Sequence, residues 1–136
     1  MKRKWQANDQ IELLLPMRVK RIAANPMVEE DRGQVAFMYG PFVYCLESID
    51  LPEDVAIDQI RIPISTQFEA CYDRELLGGI TRLQGTALKI AQKDYSNTLY
   101  TPFESLDMTE IEITLVPYYA WNNRGQTDMS VWLPLI

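Results

Sequence analysis

The sequence predicts an all-β domain: an antiparallel β-sandwich, jelly-roll-like, with little or no helix. Three observations predict it. Apolar residues recur with a period of two in several short runs, clusters of turn residues separate those runs, and eight prolines and six glycines punctuate 136 residues. A period of two sends alternate side chains to opposite faces, so one face can be buried while the other meets water. Repeated in short runs between turns, it is the pattern of a sandwich or barrel. The chain has the length of one domain and ordinary globular composition, 47% hydrophobic and 24% charged, so residues 1–136 are read as a single sandwich.

Taken in chain order, "KRKWQANDQIELLL" reads as a strand, an Asn8-Asp9 turn and a second strand. The chain therefore opens almost inside a sheet, and residues 1–16 are expected to be the end of a preceding sandwich in a longer polypeptide. "EEDRGQ" is a charged loop ending in glycine, as in a longer hairpin. "QVAFMYG" sets Val35, Phe37 and Tyr39 opposite Ala36 and Met38, and "YGPF" then breaks the run, Gly40 bending and Pro41 fixing the backbone. "DQIRIPI" sets Ile60, Ile62 and Ile64 against Gln59 and Arg61; Pro63 removes a ladder donor, so this strand lies at an edge or ends there. "FEACYDRELLGG" fits one helical turn or a strand through Tyr72 followed by an acidic turn, and its extended neighbours favour the strand.

Residues 91–109 are polar and irregular and read as a long surface loop. "IEITLV" puts Ile111, Ile113 and Leu115 on one face, with Glu112 and Thr114 on the other. "MSVWLPLI" alternates Met129, Val131 and Leu133 with Ser130 and Trp132.

The net charge of −6 argues against duplex nucleic acid, whose phosphates would repel the surface. Only the start is basic (Lys2, Arg3, Lys4, then Arg18, Lys20, Arg21), and its alternation reads as a solvated strand rather than a nucleic-acid or membrane patch. No run approaches the roughly 18 apolar residues of a membrane span, and no targeting segment is evident, so a cytoplasmic location is expected. Cys45 and Cys71 form neither a C-x-x-C nor a zinc spacing, and the sequence has no histidine. Both are read as buried free thiols, and no metal site is expected.

The missing histidine also removes Ser-His and Cys-His nucleophilic sites. Paired carboxylates remain. Glu47 follows the apolar run "PFVYCL", with Asp50 three residues later. Glu47 is the best candidate for a perturbed carboxylate; the alternative is a strand-end acid paired with a cation such as Arg124. "PYYAWNNRG" offers aromatic faces, Tyr118, Tyr119 and Trp121, that could stack on sugar rings, with Asn123 and Arg124 bonding hydroxyls. The structural alternative has Tyr118 and Ala120, Tyr119 and Trp121 filling the two faces of a sheet. Asn122 and Asn123 then make the turn, and Arg124 bonds loop carbonyls or a carboxylate.

Three segments, "WQANDQIELLLPM", "GQVAFMYGPFVYCLESID" and "VPYYAWNNRGQTDMSVWLP", resemble in order and spacing the C-terminal β-sandwich region of glycoside hydrolase family 127, the β-L-arabinofuranosidase-like enzymes; "LLGGITRLQGTA" is similar to the stretch between them. Asn8 departs from the glycine usual in the family. The resemblance implies that catalysis belongs to a separate (α/α)6 barrel carrying a zinc-bound cysteine nucleophile, further cysteine and glutamate ligands and a glutamate acid/base. None of those motifs is present here, and Cys45 matches the sandwich run rather than the zinc ligands. The implied role is a non-catalytic accessory domain, inactive alone and without zinc, which supports the barrel or forms a homodimer. The alternative is a carbohydrate-binding module built on residues 118–124.

Overall fold

The structure, a computed structural model, describes residues 4–91, 99–100, 102–103 and 106–136. Among them are nine strands: β1 (Val19–Ile22), β2 (Gln34–Tyr39), β3 (Phe42–Glu47), β4 (Ile60–Arg61), β5 (Glu69–Asp73), β6 (Ile80–Ile90), β7 (Met108–Pro117), β8 (Met129–Ser130) and β9 (Leu133–Pro134). The described helices are single 3-10 turns, so the all-β class is observed.

Every strand pair is antiparallel, in the order β1-β2-β3-β7-β6-β4, with β5 on β6, β8 on β3 and β9 on β2. The C-terminus returns this path to its start. Leu135 N–H donates to Gly33 O at 2.8 Å on one side, and on the other Ile62 N–H donates to Pro134 O at 2.8 Å and Ile136 N–H to Ile62 O at 3.0 Å. The ladder thus runs around the core, and strands that would otherwise be open edges share their backbone groups.

The alternation in the sequence explains which side chains fill that core. Ile113 and Leu115 of β7 face inward while Glu112 stays exposed, and they meet Val35, Phe37, Tyr44, Leu46, Ile60, Ile62, Leu83 and Leu133. Phe37 and Phe68 pack with ring centroids 4.4 Å apart. Each Leu or Ile fully buried here stabilises the fold by about 1.5–3 kcal/mol. The Tyr44 hydroxyl donates to Thr81 O at 2.7 Å, so its polar tip is satisfied inside, and burial pushes its pKa up to about 12.

The ends of β3 and β7 are buried on both faces. On the far face a second cluster gathers Cys45, Ile80, Val116 and Ala120, with Leu76, Met129 and Val131 against it. This second layer positions the candidate site, because the chain after β7 must fold back to cover it.

Several local expectations match. β4 stops before Pro63, and the 68–79 segment is a strand followed by an acidic turn in which Asp73 Oδ1 accepts the N–H groups of Glu75 and Leu76. Gly40 makes the β2–β3 turn at φ +57°, and Met17 Sδ lies 2.2 Å from where a Cβ would stand.

Others are corrected. Residues 4–17 contain the Asn8-Asp9 turn, with Gln6 N–H on Asp9 Oδ2 at 2.9 Å and Asn8 at φ +74°, but no strand flanks it; the first strand begins at Val19. An extended apolar segment needs a neighbouring ladder, and the described residues offer it none. Ile64 is exposed rather than inward, because Pro63 and the turn after it redirect the chain. "MSVWLPLI" is two two-residue strands: Leu133 enters the main core, whereas Met129 and Val131 serve the second cluster. The 91–109 loop lies largely outside the described residues, and β7 already begins at Met108.

Candidate functional site

Strand β3 ends by delivering Glu47 to an interior position, and the 3-10 turn Ser48–Asp50 brings Asp50 back beside it. Strand β7 ends at Pro117; the chain then forms the 3-10 turn Tyr118–Ala120, closed by Trp121 N–H on Tyr118 O at 3.1 Å. The loop that follows crosses over the end of β3 and reaches β8.

Arg124 from this loop is inserted between the two carboxylates. Its guanidinium grips Asp50 as a fork, Nη1 to Oδ1 at 2.6 Å and Nη2 to Oδ2 at 2.5 Å, while Nη2 also pairs with Glu47 Oε2. The other Glu47 oxygen accepts the Asn122 backbone N–H at 2.9 Å, where Asn122 sits at φ +63°. Glu47 is fully buried, and the Arg124 side chain is 17% exposed. A carboxylate so placed is tolerated only because charged and backbone donors replace its water. Hydrogen bonding to Asp50 foremost, and then to Glu47, holds the guanidinium protonated against the opposing effect of burial. Ser48 ties the far end of the loop, its Oγ 2.8 Å from Thr127 Oγ1 and accepting Asp128 N–H at 3.0 Å.

This geometry limits the chemistry. A glycosidase pair needs two carboxyl groups that reach substrate, one of them held as an acid in a desolvated site. Here both are bonded to one guanidinium, and Glu47 has no access to solvent. Of the two readings of Glu47, the structure has the acid paired with Arg124.

The aromatic side chains point the other way. Tyr118, Tyr119 and Trp121 are 47%, 61% and 40% exposed, so the reading in which they fill a sheet is corrected: only Ala120 of the 3-10 turn is buried. The physical reason is Pro117, which has no N–H to extend the ladder and is followed at once by the tight turn. Tyr118 stacks with Trp121 at 6.1 Å, and Tyr119 meets Phe42 of β3 edge-on at 5.5 Å. Asn123 is exposed, its amide folded back to donate to Ala120 O at 3.1 Å. A groove of about 560 Å³ adjoins this face between Tyr118, Val43 and Trp132. Sequence reasoning missed Phe42 and Val43, which complete the exposed face; the signal was the apolar residue following Pro41 at the start of the strand.

The residues do not fit a zinc ion. Among the described residues no group of three or more His, Cys, Asp or Glu could hold a metal. Cys45 is buried with its thiol on Val116 O at 3.7 Å, and burial foremost, then the charges of Glu47 and Asp50, pushes its pKa up to about 12.

Residues 19–134 match the family model described as the glycoside hydrolase family 127 C-terminal domain. The non-reducing end β-L-arabinofuranosidase of Bifidobacterium longum subsp. longum is 34% identical over 125 residues, covering 90% of this chain but 19% of that protein. Among solved structures, a family-127 β-L-arabinofuranosidase from Geobacillus stearothermophilus T6 superposes with a TM-score of 0.79 at 34% identity, over 89% of this chain and 19% of its own. A second, described as a glycoside hydrolase, gives 0.77 at 37% identity, over 88% and 20%. The chain thus spans about a fifth of the length of these relatives, and by its matched residues it belongs to glycoside hydrolase family 127, as a C-terminal domain of that family.

Proposed function

We propose that the chain is a non-catalytic accessory domain of a family-127 glycosidase, whose aromatic face, formed by Tyr118, Tyr119, Trp121 and Phe42, packs against the remainder of the enzyme. The observation that carries this reading is the division of labour within one loop. Three donors of the loop are bonded within the domain, Arg124 to two carboxylates, the Asn122 N–H to Glu47 and the Asn123 amide to the backbone, while the aromatic side chains are exposed. Phe42, Val43, Tyr118, Tyr119 and Trp121 stand exposed together beside the exposed Asn122 and Asn123, an aromatic-rich surface with the composition of a protein contact.

A sugar-binding module would need the same aromatics with Arg124 free to bond hydroxyls; Arg124 is instead held by Asp50 and Glu47, which makes it the weaker alternative. On the accessory reading, hydrolysis of terminal β-L-arabinofuranosides, and the zinc that supports it, belong to an (α/α)6 barrel elsewhere in the enzyme. The test is an assay of the 136-residue chain, with zinc added, against a nitrophenyl β-L-arabinofuranoside. No nitrophenol release is expected; zinc-dependent release that Glu47→Gln abolishes would overturn the reading.

A further inference from the structure

The chain between β8 and β9 crosses from one strand of the main hairpin to the other: Met129 pairs with Glu47 of β3, whereas Pro134 pairs with Gln34 of β2. Ser130 Oγ donates to Trp132 O at 2.6 Å within this crossing. Trp132 is partly exposed there and borders two grooves. One, of about 560 Å³, runs to Val43 and Tyr118 of the aromatic face. The other, of about 480 Å³, is lined by Asp128, just ahead of β8, and by Asp58 of the 3-10 turn Ile57–Gln59. Gln34, Met129, Ser130 and Trp132 belong to both, so the two grooves form one surface continuous with the aromatic face.

The second groove carries the charge that the first lacks. Asp58 and Asp128 are exposed, and among the described residues neither carboxylate has a partner. The neighbouring cation is turned elsewhere, since the Arg61 guanidinium bonds the backbone oxygens of Asp58 and Ile60. A groove bordered by two carboxylates and an indole suits a cation that is also flat. Arginine is that cation: its guanidinium stacks on an aromatic ring while its N–H groups bond carboxylates.

We propose that an arginine side chain from the remainder of the enzyme inserts into this groove, over Trp132 and against Asp58 and Asp128. The inference rests on the accessory reading above and adds what the partner must present at one end of the contact. Charge complementarity selects the occupant. The chain carries a net charge of −6, and this groove sets two unpaired carboxylates directly beside the surface that docks. An arginine anchored beside an aromatic patch is a recurrent centre of protein contacts.

Titrating the isotopically labelled 136-residue chain with N-acetyl-arginine amide, read by two-dimensional NMR, tests it. The Trp132 indole and Gln34 side-chain amide resonances should shift saturably while the Trp121 indole stays in place. Asp58→Asn with Asp128→Asn should weaken that response at least about fivefold. Both positions are exposed, so the double variant should keep its Tm. N-acetyl-lysine amide should act more weakly, because an ammonium cannot stack as a plane. No shift at Trp132 overturns the arginine site and leaves the accessory reading standing, because that reading fails on a different result, catalysis by the chain alone. An unchanged response in the double variant overturns it by removing the carboxylates from the contact. Equal shifts at Trp121 would overturn it by showing that arginine meets any exposed indole. A Trp132 shift on raising the chain concentration without the probe would overturn it by naming a second copy as occupant.

Discussion

Arg124 holds two carboxylates at once, and the consequence at the scale of single residues is that its loss strands Glu47 in the interior. Glu47 is fully buried beside Asp50, so Arg124→Ala leaves two negative charges with, among the described residues, only the Asn122 N–H bonded to them. Urea unfolding is expected to show a loss of about 3–5 kcal/mol, the range found when one partner of a buried pair is removed. Arg124→Lys should recover only part of it, because an ammonium cannot make the forked contact with Asp50.

The two cysteines give a second test. Cys45 is buried with its pKa pushed from 9.0 to about 12, whereas Cys71 on β5 is partly exposed. A disulfide reagent at pH 8 should label Cys71 in the native chain and Cys45 only after unfolding. The thiol stays protonated in the folded state at pH values where it ionises in the unfolded one. Its contribution is therefore intact below 9.0 and declines as pH rises toward about 12.

Asp73 has the opposite sign. The N–H groups of Leu76 and Glu75 lower its pKa, with Arg82 adding to the effect. The stabilisation is present above the ordinary value of 3.8 and is lost as pH falls through the lower folded value. Asp73→Asn should flatten the acid side of the stability curve.

At the scale of elements, the β2–β3 turn is the joint on which both outward-facing features depend. Gly40→Ala places a methyl group where Met17 Sδ now sits and holds a non-glycine residue at φ +57°. A loss of about 1–3 kcal/mol is expected from the backbone alone, together with faster exchange of the Gly40 amide as Met17 is displaced. If Tm is unchanged, the leading segment is not anchored there.

Element by element, what was legible in the sequence followed from period and punctuation. "IEITLV" is legible because its two faces meet different environments, and "DQIRIPI" stops where proline removes the donor. The leading segment and "PYYAW" read as strands for the same reason, yet neither is one here. Period reports only that a chain could lie in a sheet; a partner ladder must also be in reach. For Ile11–Leu15 it is missing among the described residues. For Tyr118–Trp121, Pro117 and a 3-10 turn end the ladder first. The Glu47–Arg124 pair could be suspected from residue types, but its burial could not, since that depends on the second cluster closing over β3.

At the scale of the whole molecule, one ladder circles the main core, and the apolar segment before β1 and the aromatic face both lie beside the β2–β3 hairpin. Such a domain is stable because its C-terminus closes the ring: Pro134–Ile136 bond to Ile62 and Ile64 on one side and Gly33 on the other. On its surface Phe42, Tyr118, Tyr119 and Trp121 gather into one aromatic face, beside an Arg124 held by two carboxylates. The central claim is that this face serves protein contact rather than sugar recognition. Isothermal titration of the 136-residue chain with β-L-arabinofuranosyl oligosaccharides tests it most directly. No saturable heat up to millimolar ligand is the expected result; saturable binding lost on Trp121→Ala would contradict it.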